Sequence, residues 1–320
     1  MKSIYLTENA SHIKDVFGVD DKVYCKADII GGDCFKDTEY IFSTWGMPEF
    51  TEEEIKAHLP SLKAVFYAAG SVKHFAFPFI KRGIKVFSAW AANAVPVAEY
   101  TVSQIILANK GFFGAARLAK EGRFESGNEY AKAHKGNYGL TVGIIGAGMI
   151  GKLVINMLKS YKLSVLVFDP YLSDGDAARL GVEKCSLERL FSECSVVSNH
   201  LANNPQTQGM LNKALFERLP LFATFINTGR GAQVVEDDLI DVLSKREDLT
   251  ALLDVTFPEP PEKSSALYTL QNCVLTPHIA GSLANETRRM GEYITEEYER
   301  FIKGEPTKYE VSLKMLETMA

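Results

Sequence analysis

Apolar residues along this chain fall mostly into short runs of strand length, separated by stretches where they recur at helical spacing. In the first hundred residues, Tyr40-Ile-Phe-Ser-Thr44, Ala64-Val-Phe-Tyr-Ala68 and Lys85-Val-Phe-Ser88 predict strands. Between them, Thr51-Glu-Glu-Glu-Ile-Lys-Ala-His58 predicts a helix with a threonine N-cap and acids in its first turn. Lys73–Arg82 predicts another. The alternation resumes with strands at Leu140–Ile145, Ser164–Phe168, Ser195–Ser198, Thr224–Asn227, Leu249–Asp254 and Asn272–Thr276. Helices are predicted over Val97–Asn109 and over Glu286–Lys303, the latter closed by Gly304-Glu-Pro306. The pattern is that of an α/β chain with two domains, each a doubly wound and mostly parallel sheet. One domain, 101–284, is expected to be inserted in a discontinuous one, 1–100 with 285–320, so that two connections form a hinge.

At 320 residues there is room for two cores. Lys+Arg 35 against Asp+Glu 40 gives a net charge of −5 with no basic run, which argues against nucleic acid or an anionic membrane as partner. The start, Met1-Lys-Ser-Ile-Tyr-Leu-Thr-Glu8, turns polar before a signal-peptide core could form, and no stretch approaches the ~20 apolar residues of a membrane span. Cysteines 25, 34, 185, 194 and 273 are odd in number and never spaced as CxxC. They read as reduced thiols of a cytoplasmic protein, without a disulfide frame or a metal site.

The strand Leu140–Ile145 runs into Gly146-Ala-Gly148-Met149-Ile150-Gly151, followed by Val154, Met157 and Leu158 at helical spacing. The next strand stops at Asp169, 18 residues after the last glycine. A lone GxGxxG carries little weight, but strand, glycine turn, helix, strand and acid in this order form a dinucleotide-binding fingerprint. The glycines let the backbone approach a pyrophosphate, and the helix start at Met149, Ile150 and Gly151 offers free N–H groups to it. Asp169 suits a ribose 2′-hydroxyl and repels a 2′-phosphate, so the predicted cofactor is NAD. The domain is then Rossmann-type, within a flavodoxin-like substrate domain.

Three later strands run into polar residues: Asn227 into Thr228-Gly-Arg230-Gly231, the next into Asp254 with Glu259 beyond it, and the last into Thr276-Pro-His278. In a parallel sheet the strand C-termini share one edge, so these residues should meet the glycine turn there. Hydride transfer to a carbonyl needs a proton donor and a cation to hold the carbonyl or carboxylate. His278, oriented by a carboxylate such as Glu259, suits the first role, and the planar fork of Arg230 suits the second. Singly, each has a plainer reading: a turn histidine, a surface arginine, a glutamate in the proline-rich loop Phe257–Pro261. Their joint position at successive strand ends favours chemistry. His200 follows a strand on the same edge and is assigned, with Thr228, to the cofactor crevice. His12, His58, His74 and His134 read as surface or packing residues.

The chain resembles the D-isomer-specific 2-hydroxyacid dehydrogenase family over almost its whole length. The resemblance is carried by Asn93-Ala-Val-Pro-Val-Ala-Glu99, Thr141–Gly151, Asp169-Pro170, Ile226–Gly231, Asp254-Val255 with Glu259-Pro260, and Thr276-Pro-His-Ile-Ala-Gly281. It implies that Arg230 binds the substrate carboxylate and carbonyl, that His278 is the acid/base and that Glu259 pairs with it. It also places Asp254 near the nicotinamide carboxamide and gives the backbone of Ala69-Gly70-Ser71 a part in holding the substrate carboxylate. Members are usually homodimers that bind a small 2-oxo or 2-hydroxy acid between two domains. This chain departs where the family reads His-x-Pro-Leu-Thr: it has His200-Leu-Ala202-Asn203-Asn204. Ala147 replaces a larger apolar residue. The chain has no room for the regulatory domain of some phosphoglycerate dehydrogenases, and Glu259 sets it apart from formate dehydrogenases, which carry glutamine there.

Two other classes bear on the reading. A non-enzymatic NAD-binding protein of the corepressor type would share the fold and the site. A short-chain dehydrogenase needs Tyr-x-x-x-Lys, which this chain lacks. Substrate identity stays open, with Trp45 and Tyr67 as possible pocket walls or core residues.

Overall fold

A computed structural model describes residues 2–318. The chain divides into two compact units, one built from residues up to Ala94 and from Ser282 onward, the other being Val95–Gly281. It passes from the first to the second within one helix, Trp90–Ala108.

The first unit holds β1 (Ser3–Leu6), β2 (Val23–Tyr24), β3 (Tyr40–Ser43), β4 (Ala64–Tyr67) and β5 (Lys85–Ser88) in the order β2-β1-β3-β4-β5, all parallel. This is the flavodoxin-like order. The helix Thr287–Lys303 covers one face, burying Met290, Gly291 and Ile294 and stopping at Gly304 in the left-handed region (φ 70°). Gly291 is required by packing: a Cβ there would stand 2.2 Å from the Val16 carbonyl oxygen. Under the helix, Phe66 stacks on Phe87 at 4.9 Å, with Tyr298 and Phe301 edge-on to Phe66. Tyr67 is 3% exposed and packs against Phe75, so it is a core residue and not a pocket wall. Trp45 packs partly buried against the same core.

The second unit holds β6 (Tyr138–Ile145), β7 (Lys162–Phe168), β8 (Glu183–Lys184), β9 (Val196–Asn199), β10 (Thr224–Asn227), β11 (Thr250–Leu253) and β12 (Cys273–Leu275). Their order is β12-β11-β10-β9-β6-β7-β8, again all parallel. That is the doubly wound Rossmann order with a seventh strand added at one edge. β9, β10 and β11 are buried along their whole length, as strands covered on both faces must be. Among the described residues no helix is long and apolar enough to cross a membrane.

Three differences from the sequence reading have simple causes. β1, β2 and β8 were not predicted, and of these β2 and β8 are only two residues long, too short for a periodic signal. The helix predicted from Val97 begins at Trp90 and carries Pro96 inside it. Proline removes one helical hydrogen bond but does not end a helix that tertiary packing holds. The paired helices Phe112–Lys120 and Phe124–Ala133 were likewise not anticipated.

Candidate active site

Because the second sheet is entirely parallel, the residues after β6, β7, β9, β10, β11 and β12 emerge on one edge. The glycine turn after β6 divides its work among three glycines. Gly146 has φ 91°, and a Cβ on it would stand 2.9 Å from the carbonyl carbon and oxygen of His200. A Cβ on Gly151 would stand 2.0 Å from the Gly146 carbonyl oxygen, so the helix Met149–Leu158 can seat on the turn only without a side chain there. Gly148, the N-cap, faces open space: a Cβ would meet nothing within 4 Å. Asp169, at the end of β7, accepts from Ala147 N at 2.7 Å and from Tyr171 N at 2.7 Å, which fixes the carboxylate beside the turn. No cation follows it in Pro170-Tyr171-Leu172-Ser173. An open N-cap glycine at a helix start with an anchored acid beside it fits a dinucleotide pyrophosphate and an unphosphorylated ribose.

His200, after β9, is 8% exposed. One ring nitrogen pairs with Ser198 Oγ at 2.9 Å and the other with Thr228 Oγ1 at 3.4 Å, while Thr228 in turn meets Thr101 Oγ1 at 3.1 Å. The imidazole is thus buried among hydroxyls. It is the backbone of His200, through its contact with Gly146, that borders the glycine turn. The atypical Ala202-Asn203-Asn204 segment is closed locally. Asn204 Oδ1 accepts from Gln206 N and Thr207 N, and Thr207 Oγ1 donates to Ala202 O at 2.7 Å.

After β10, the loop Thr228–Gly231 carries Arg230 between glycines that close approaches demand. A Cβ on Gly231 would stand 1.9 Å from the Thr256 carbonyl carbon, and one on Gly229 would meet Asn199 at 3.0 Å. Arg230 Nη1 donates to Gly229 O at 2.7 Å. Burial pushes its guanidinium down from the ordinary value and the Glu259 carboxylate pushes it back up; arginine stays charged in either case.

Asp254, 2% exposed at the end of β11, organises the histidine loop. Its Oδ1 accepts from Thr276 Oγ1 at 2.6 Å and from Ile279 N at 2.8 Å, and its Oδ2 accepts from Ala280 N at 2.9 Å. His278 N donates to Asp254 O at 3.0 Å. These bonds hold His278 at φ 54°, a left-handed conformation unusual for a side chain of this size. His278 Nδ1 meets Glu259 Oε1 at 2.7 Å, both side chains being about half exposed. No described residue bonds to Nε2, which stays available. Ala69-Gly70-Ser71 follow β4 in the first unit, where Ser88 Oγ donates to the carbonyls of Ala69 and Gly70.

The model of the D-isomer specific 2-hydroxyacid dehydrogenase NAD binding domain matches residues 102–280. The chain belongs to that family. D-3-phosphoglycerate dehydrogenase of Archaeoglobus fulgidus is 30% identical over 237 residues, 74% of this chain and 44% of that protein. The Bacillus subtilis protein YoaD is 35% identical over 208 residues, 63% of this chain and 59% of YoaD. The match thus spans about half the length of these curated relatives. Among solved structures, the apo D-mandelate dehydrogenase of Rhodotorula graminis superposes with a TM-score of 0.79 at 20% identity, covering 97% of each chain, a likeness of fold. The NAD-binding unit and its glycine turn are therefore those of the family.

Sequence reasoning missed Asn199 and Gln233, which are 0% exposed and hydrogen-bonded into the loops that carry Arg230 and His200. No motif announces them, because a buried amide gains its role from what packs around it. A cavity of about 270 Å³ lined by Arg117, Tyr130, Thr250 and Cys273 lies at the starts of β11 and β12, at the other end of those strands from the candidate residues.

Burial pushes the His200 imidazole down to about 3. Unfolded, a histidine takes up its proton near pH ~6.5. Below that value the unfolded chain is protonated and the folded chain is not, so stability falls as pH drops from ~6.5 towards ~3. Between pH 7 and pH 5 this one group should cost about 2 kcal/mol. Urea unfolding at both pH values should show that loss, reduced in His200→Gln. Equal acid losses in the two proteins would contradict the burial of a neutral ring.

Proposed function

We propose that the chain reduces a small 2-oxo acid to the D-2-hydroxy acid, taking up a proton and converting NADH to NAD. The observation that carries this reading is the 2.7 Å pair of His278 and Glu259 on the sheet edge that also bears Arg230 and the glycine turn. Bound NADH supplies the hydride to C2. Arg230 presents two parallel N–H groups to the carboxylate and carbonyl oxygens, which fixes the substrate and draws charge toward the carbonyl oxygen. His278 delivers its Nε2 proton to that oxygen as negative charge develops on it. Glu259, on Nδ1, fixes the ring and favours the imidazolium that the donor must be. A role for the backbone of Ala69–Ser71 in binding the carboxylate belongs to the same proposal, as do the D configuration and a homodimeric state, which rest on family membership, and a cytoplasmic location, which rests on the unpaired cysteines. Nothing in the site favours a non-enzymatic role.

NADH should outcompete NADPH in kcat/KM, because Asp169 repels a 2′-phosphate and no cation follows it in Pro170–Ser173. Asp169→Ala should relax that preference. Equal efficiency with both cofactors in the unmutated protein would remove Asp169 from the ribose site.

Pyruvate, glyoxylate, hydroxypyruvate and branched and aromatic 2-oxo acids should be turned over in preference to the matching decarboxylated aldehydes, which leave the guanidinium without its partner. His278→Ala should lower kcat on the best of them by about 10²–10⁴-fold, with NADH binding little changed. Faster turnover of aldehydes, or full activity in His278→Ala, would sink the proposal.

A further inference from the structure

Three amides, Asn199, Asn227 and Gln233, lie 0–1% exposed beneath the strand ends of the second unit. Burying amides is costly unless each hydrogen bond is met, and an apolar side chain would fill the space at less cost. Their bonds go to one another and to the backbone of two loops. Asn227 Nδ2 donates to Arg230 O at 3.1 Å and its Oδ1 accepts from Gly229 N at 3.1 Å. Asn199 Nδ2 donates to Asn227 Oδ1 at 3.0 Å and to Gln233 Oε1, and its Oδ1 accepts from Leu201 N at 3.3 Å. Gln233 Oε1 accepts from Arg230 N at 3.4 Å, while its Nε2 donates to Leu201 O at 2.7 Å.

Gln233 therefore has one end of its amide on the arginine loop and the other on the loop after β9. That second loop is the one whose His200 carbonyl sits against Gly146, and whose His200 N donates to Ile145 O at 2.7 Å. A chain of direct contacts runs from Arg230 through Gln233 and Leu201 to the glycine turn. Only an amide can make it: glutamate lacks the donor for Leu201 O, and an aliphatic side chain lacks both ends.

We propose that Gln233 is a positioning residue that fixes the carboxylate-binding Arg230 in register with the cofactor turn, so that substrate and cofactor are presented at a set separation. This rests on the roles given above to Arg230 and the glycine turn. Gln233 touches neither substrate nor cofactor and acts through Arg230 and Leu201.

The test uses the full chain with Gln233→Leu, Gln233→Met, Arg230→Lys and the double variant Arg230→Lys/Gln233→Leu, assayed with NADH and the 2-oxo acid that the unmutated protein turns over fastest. Gln233→Leu should lower kcat/KM roughly 10- to 100-fold, the worth of a buried hydrogen bond left unmet, with the larger part in the KM for the 2-oxo acid. In the Arg230→Lys background the same change should add little, because its effect passes through Arg230. In the unliganded proteins, amide hydrogen exchange should quicken together in the peptides spanning 200–201 and 229–230 and stay unchanged in β6. Gln233→Met should behave as Gln233→Leu, which guards against one variant that fails to fold. Losses that multiply in the double variant, unchanged kcat/KM, or exchange that quickens in one loop alone would each overturn the proposal. If the unmutated protein turns over no 2-oxo acid, the reading of its function fails, and the exchange measurement still decides whether Gln233 links the two loops.

Discussion

Everything at the candidate site depends on the parallel pairing of the second sheet. Seven strands run the same way, so each must be followed by a crossover that returns the chain to the far edge. The loops that leave the strand ends are thereby gathered on one edge although they lie up to about 130 residues apart in sequence. Backbone approaches then tie them to one another. Gly146 takes the carbonyl of His200 against it, Gly231 takes that of Thr256, and Gly229 takes Asn199. At Gly146 and Gly231 a methyl group would force the loops apart, and at Gly229 it would crowd Asn199. The glycines are thus spacing elements of the site as much as they are turn formers.

On that frame, two kinds of polar anchoring divide the labour. Asp254 spends its carboxylate on Thr276, Ile279 and Ala280, which holds His278 in a left-handed conformation with Nδ1 on Glu259. Such a conformation persists only where its surroundings over-determine it. The buried amides do the same for Arg230 from below, gripping both its N–H and its carbonyl. His200 is held by hydroxyls and kept neutral by burial, so it contributes shape rather than charge. Arg230 and His278, the two groups proposed to meet the substrate, are each held in place by hydrogen bonds from the residues around them, as a pre-organised site requires.

Much of this was legible in the sequence where chemistry imposes a local pattern. The glycine turn with Asp169 stands at the spacing that a dinucleotide-binding fingerprint requires, and the strand-end residues Arg230, Asp254 and His278 follow short buried runs that are hard to misread. The fold class followed from the same alternation. The strands β2 and β8 escaped because two residues carry no period, and the helix start at Trp90 escaped because a proline inside a packed helix mimics a boundary. Gln233 and Asn199 escaped for a different reason. Their role exists only once Leu201 and Arg230 have been brought to them, and nothing local in Gly231-Ala-Gln-Val-Val235 foretells that. Tyr67, open between pocket wall and core in the sequence, is turned into the core by the sheet.

The central claim is that the edge formed by Arg230, Glu259, His278 and the glycine turn carries hydride transfer to C2 of a 2-oxo acid. It is tested most directly by following the label from NADH deuterated at the transferring position of its nicotinamide ring, with chiral analysis of the product of the best 2-oxo acid. The account predicts that deuterium appears at C2 of the D-hydroxy acid and that the labelled product forms far more slowly in His278→Ala. Deuterium lost to solvent, or carried into the L-hydroxy acid, would contradict it.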